Sequence, residues 1–84
     1  MGIDKNSDDY VYYRARYNIK KYRQKAGITQ QELADKASFG HQFIRNLESL
    51  KMTVRPRLDS LDRIAKALGI DIKQLFDEVE EDAK

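Results

Sequence analysis

The chain has 84 residues, a formal net charge of +2 at pH 7, no cysteine and a single histidine, His41. That length suits one small domain with a modest core. The absence of thiols excludes a disulfide framework and a thiolate metal site, and one histidine excludes a histidine metal cluster.

The charge is unevenly placed. From Arg14 to Arg57 there are eleven basic residues against three acids, a net of +8, whereas Asp77–Lys84 carries a net of −4. A basic middle is the electrostatic footprint of a phosphate-backbone binder; a merely solvated lysine-rich surface would read the same way. No apolar run approaches a membrane span or a signal-peptide core, so a cytoplasmic protein without membrane contact is expected.

Residues 1–9 are polar and without pattern, and read as a disordered arm. Ser7, Asp8 and Asp9 at its end suit a helix N-terminus. The stretch Tyr10–Ala26 contains no breaker and is predicted to be the first helix. Tyr10, Tyr13 and Tyr17 form one stripe on it, either packed along the domain edge and over the C-terminal helix or exposed as a dimer or partner surface. Ala15, Ile19, Tyr22 and Ala26 form a second stripe, read as the core face. Gly27 is placed to end the helix in a left-handed conformation, with Ile28 sealing the cap.

Thr29 at an N-cap with Glu32 three residues on is a capping box and opens the second helix, with Leu33, Ala34 and Ala37 on one face. Ser38-Phe39-Gly40 breaks the period. From His41 it resumes, with Phe43, Ile44 and Leu47 inward and Gln42, Arg45, Asn46 and Ser49 outward at i, i+3, i+4 and i+7. Exposed amide and guanidinium groups on a short helix suit base-edge reading, since Asn and Gln can bond adenine twice and Arg can do so to guanine. Residues 49–57 form a basic, irregular loop. Leu58, Leu61, Ile64, Ala65 and Leu68 then give a fourth helix stopped by Gly69, and Asp71 caps a fifth carrying Ile72, Leu75 and Phe76. Residues 10–76 are thus expected to form one all-α, five-helix domain, followed by an acidic tail, 77–84.

Ile19…Arg23…Gly27, Thr29-Gln30-x-Glu32-Leu33-Ala34, Ile44…Leu47-Glu48, Arg55-Pro56-Arg57-Leu58, Ile64-Ala65-Lys66-Ala67-Leu68-Gly69 and Leu75-Phe76 occur in that order. Together they resemble the phage-repressor-like helix-turn-helix family (lambda-repressor-like, Cro/XRE type) over Ile19–Phe76. The resemblance implies a helix-turn-helix at helices two and three. It places Gly40, His41, Gln42, Phe43, Arg45 and Asn46 at the major groove, with Phe43 either packed behind the helix or touching a thymine methyl. It implies that Gln30 bonds a phosphate and braces the recognition helix, and that Arg55 and Arg57 lie along the backbone. Lys51 and Thr53 add phosphate donors to that loop. Arg23 and Glu48 are expected to form a partly buried ion pair. Two positions depart from the family's glycines: Ser38 in the turn, and Leu50 after the third helix.

The function expected is a sequence-specific double-stranded-DNA-binding regulator, a repressor acting as a homodimer on a two-fold operator. Its dimer surface would be the Leu50–Val54 loop, the start of helix four, the Ile72–Val79 region or the tyrosine stripe. The alternative is an antitoxin or accessory module whose main partner is another protein. An enzyme is not expected, because no paired acid–base groups, glycine-rich phosphate loop or metal-ligand spacing is present; no metal or cofactor is expected either.

Overall fold

The computed structural model describes residues 4–50 and 53–79. Among them run α1 (Tyr10–Lys25), α2 (Gln30–Ala37), α3 (His41–Ser49), α4 (Leu58–Leu68) and a C-terminal 3-10 helix (Ile72–Phe76), with no strand. The fold is all-α as expected, and the helix-turn-helix falls on α2 and α3. The fifth helix is 3-10 rather than α. It has only five residues between extended Asp71 and Asp77, too few for a stable i→i−4 ladder. The Asp71 carboxylate accepts from the Lys73 amide at 3.1 Å, and Gln74 reaches back to the Asp71 amide at 3.0 Å.

Local chemistry sets the other helix ends. Residues 4–9 form hydrogen-bonded turns, in which Ser7 accepts from the Asp9 and Tyr10 amides, both at 3.1 Å. Gly27 closes α1 at φ +71°, where the absence of Cβ removes the steric cost. The Thr29–Glu32 capping box is present, with bonds of 3.0 and 2.8 Å.

Ala15, Ile19, Leu33, Ala34, Ala37, Ile44, Leu47, Leu61, Ile64, Ala65 and Leu75 make one buried cluster. α1 lies across α3, α4 and the 3-10 helix, while α2 packs on α3 and α4. The apolar stripe expected on α1 holds only in part. Ala15 and Ile19 are buried, but Ala26 is exposed and Tyr22 sits half-covered, donating its hydroxyl to Asp77 Oδ2 at 2.8 Å. Leu58, first in α4, is 68% exposed. Ala26 follows the last turn of α1 and Leu58 opens α4, so at these two the period continues past the packed surface.

Two polar side chains are buried on α1 instead, Arg16 and Asn18. The Asn18 amide donates to the Leu75 and Asp77 carbonyls, both at 2.8 Å. That fastens the segment after the 3-10 helix, and Val79 lies buried beyond it. Buried carbonyls at chain ends need donors, which an all-apolar face would not supply.

The two non-glycine departures both take the left-handed conformation, Ser38 at φ 61° and Leu50 at φ 57°. Around Ser38 the Phe39 amide bonds the Ala34 carbonyl at 2.8 Å and the Ser38 amide bonds that of Asp35 at 3.3 Å, closing α2 in a Schellman turn. The family's glycine geometry is therefore kept at a steric cost of about 1 kcal/mol per site. Ser38→Gly is expected to raise the unfolding free energy by about 0.5–1 kcal/mol, and β-branched Ser38→Val to lower it by more than about 1 kcal/mol. Urea unfolding checks both; two changes of the same sign would contradict the assignment.

Candidate nucleic-acid interface

α3 is anchored at both ends. At its C-terminal end the buried Arg16 guanidinium donates to three main-chain carbonyls, those of Leu47 at 2.9 Å, Asn46 at 3.2 Å and Val54 at 3.4 Å. The first two are among the carbonyls a helix leaves unpaired at its C-terminus, where a cation also meets the negative end of the dipole. Burial pushes the Arg16 pKa below its usual value. Two turns on, Arg23 forks onto Glu48 through Nε at 2.6 Å and Nη2 at 2.9 Å, and gives Nη1 to the Ile28 carbonyl at 2.8 Å. The Glu48 carboxylate in turn holds the Arg23 pKa above its usual value. Gln30 completes the group, its amide reaching Glu48 Oε1 at 3.1 Å. The ends of α1 and α3 and the start of α2 thus meet at one carboxylate.

The N-terminal end is held by stacking. Phe43 lies half-buried on Phe39, ring centroids 4.6 Å apart, and Arg63 covers Phe39 with its guanidinium 4.0 Å from the ring centre. Arg63 Nη2 also donates to the Ala37 and Ser38 carbonyls at 2.8 and 2.7 Å, capping α2. Between these anchors Ile44 and Leu47 are buried, while Gln42, Arg45 and Ser49 are exposed and His41 and Asn46 half-exposed. Gln42 donates to Asn46 Oδ1 at 2.8 Å, so the two amides stand as one unit with a carbonyl and N–H groups still to offer. Gly40 precedes the helix with no side-chain cap.

The loop beyond α3 alternates. Val54 is half-buried against the core and Pro56 is buried, while Thr53, Arg55 and Arg57 are exposed. An extended chain has period two, so these three side chains share one side. Arg55 Nε pairs with Asp9 Oδ1 at 2.7 Å, its guanidinium 5.4 Å from the Tyr12 ring centre, and Arg57 sits 3.4 Å from Asp59. Lys51 lies outside the described residues.

The period of α3 groups Gln42, Arg45 and Asn46 on one face, and the Arg23–Glu48 pair implied by the resemblance is present; the structure adds Gln30 to that junction, bonded to Glu48. The basic count also includes Arg16 and Arg23, whereas Arg16 is buried and Arg23 partly buried, both in structural roles. Sequence reasoning misses Arg16, Arg63 and the Asp9–Arg55 pair. The only available signal for Arg16 is its place at i, i+3, i+7 with Ile19 and Arg23, an arginine on a core-facing stripe.

A family model described as helix-turn-helix matches residues 19–75, the span from buried Ile19 to buried Leu75. The HTH-type transcriptional regulator SinR of Bacillus subtilis (strain 168) is 29% identical over 63 residues, 75% of this chain and 56% of SinR. The chain thus spans little more than half of that relative. A hypothetical transcription factor from Neisseria, NHTF, has a similar solved fold. The TM-score is 0.73 over 99% of this chain and 94% of that one, at 21% identity.

Arg16→Met is expected to lower the unfolding free energy by about 3 kcal/mol, roughly 1 for each stranded carbonyl. Arg16→Lys should recover only part, because an ammonium cannot match acceptors set around a planar fork. Denaturant melts measure both, and a Met variant as stable as the parent would contradict the anchoring role.

Proposed function

The chain belongs to the helix-turn-helix family of Cro/C1, XRE-type transcription regulators, and from that premise we propose that it binds double-stranded DNA sequence-specifically, as a repressor, with α3 in the major groove. The observation that carries this reading is the bonded Gln42–Asn46 pair on the open face of a helix anchored at both ends. An amide that presents a donor beside an acceptor matches adenine N7 and N6. Fixing the pair before binding reduces the side-chain entropy lost on contact. Arg45, one residue before Asn46 on the same exposed side, adds a guanine-reading group, and His41 stands at the helix start.

Phosphate contacts would fall to the surrounding segments. Thr53, Arg55 and Arg57 share one side of the loop, Lys51 adjoins them in sequence, and Gln30 and the uncapped helix start at Gly40 flank the reading face. Such contacts set register and affinity without selecting sequence. For Arg55, Asp9 occupies the guanidinium that a phosphate would take. Phe43 is packed on Phe39, which makes it a spacer behind the helix rather than a base contact. One domain offers few base contacts, so a two-fold pair on a palindromic operator is the assembly proposed.

Selection from a random duplex pool at about 150 mM salt tests the reading. The parent is expected to enrich a two-fold motif. Gln42→Ala/Asn46→Ala should bind weakly, with no base preference, since each bidentate contact contributes about 1–3 kcal/mol of discrimination. If the parent and double variant enrich the same motif, α3 does not read the bases.

A further inference from the structure

We propose that the lysine face of α1 is a second DNA-backbone contact, touching phosphates beside the groove that α3 enters; this rests on the reading of α3 given above. Lys20, Lys21 and Lys25, with Tyr17 and Gln24, line an open groove whose remaining wall is Leu50, the residue that closes α3. The groove therefore begins where the reading helix ends. Lys20 is also one turn before Arg23, which grips Glu48 on α3, so it shares the side of α1 turned toward that helix end.

Among the described residues no carboxylate lines the groove and none of its three lysines has an ion pair. Lys21 and Lys25 both lie over the Tyr22 ring, 5.5 and 5.7 Å from its centre, which gathers two like charges on one patch. The basic groove between α2 and α4 is different. There Arg63 is committed to the Ala37 and Ser38 carbonyls and Lys66 pairs with Asp62 at 2.9 Å, which leaves Lys36 as the one lysine of that groove without an ion pair among the described residues. Three uncompensated lysines next to the reading helix call for an outside polyanion more strongly than the single one between α2 and α4.

The dimensions agree. α3 has nine residues, about 13 Å at 1.5 Å per residue, while the major groove is about 12 Å wide. A helix of that length laid in that groove brings an end to a phosphate wall, and the Leu50 end carries the lysines. The volume enclosed, about 630 Å³, would admit a small molecule of about 300–1,000 Å³ class, but such pockets are mostly apolar and this one is open and cationic.

The test is the salt dependence of affinity for the duplex that the parent selects. Lys20→Gln/Lys21→Gln/Lys25→Gln is compared with Lys36→Gln/Lys66→Gln/Lys73→Gln, which removes equal charge elsewhere. The slope of log affinity against log salt is expected to flatten by about 2.7 in the first variant, at about 0.9 for each of three phosphate contacts, with binding about tenfold weaker and base preference unchanged. The second should keep the parent slope. A parent-like slope in the first variant, or equal flattening in both, overturns the proposal while leaving the α3 reading intact. A parent that binds no duplex overturns that reading and this proposal together.

Discussion

The position of α3 depends on two arginines of α1, seven residues apart, that reach its C-terminal end. Arg16 takes up carbonyls that the helix cannot pair, and Arg23 takes up the carboxylate of Glu48. Both act where the dipole is negative, so the desolvation of these cations is offset by a hydrogen bond from each guanidinium nitrogen. Removing one partner of such a pair leaves a charge stranded, which is why the junction tolerates little change. With that end fixed from α1, and the other held by the Arg63–Phe39–Phe43 stack, the outer face of α3 is under no demand from the fold.

That division also assigns the charges. A count of basic residues treats Arg16 and Arg23 as surface cations, although they serve the interior. Arg55 is half-committed, paired with Asp9 yet more than half exposed. Among the described residues Lys20, Lys21 and Lys25 of α1 have no carboxylate partner, and they line a groove that reaches Leu50 at the end of α3. The surface with uncompensated positive charge is thus narrower than the sequence total suggests, and part of it adjoins the end of α3.

Much of the architecture is legible in the sequence because local rules agree. The period of α4, the Thr29–Glu32 box and the glycines at 27 and 69 each act within a few residues and need no tertiary information. The exposed face of α3 follows from its period, and the Gln42–Asn46 bond is an i, i+4 contact implied by that spacing. The failures have a common cause. Arg16 binds carbonyls about 30 residues away, which every sequence carries, so no partner residue type marks the contact. Asp9 and Arg55 are 46 residues apart. Ala26 and Leu58 continue apolar stripes at helix ends, and Tyr22 turns its hydroxyl to Asp77, so burial there depends on packing rather than period. The fifth helix becomes 3-10 because its length, not its composition, limits it.

α3, fixed by Arg16 and Arg23, is proposed to present Gln42 and Asn46 to base edges. The most direct test is an NMR titration of isotope-labelled protein with the selected duplex and with a scrambled duplex of equal length. The account predicts that the side-chain amide signals of Gln42 and Asn46 move with the selected duplex only, while the Arg16 and Arg23 side-chain signals stay in place. Shifts confined to lysine-bearing and loop segments, and alike for both duplexes, would contradict it.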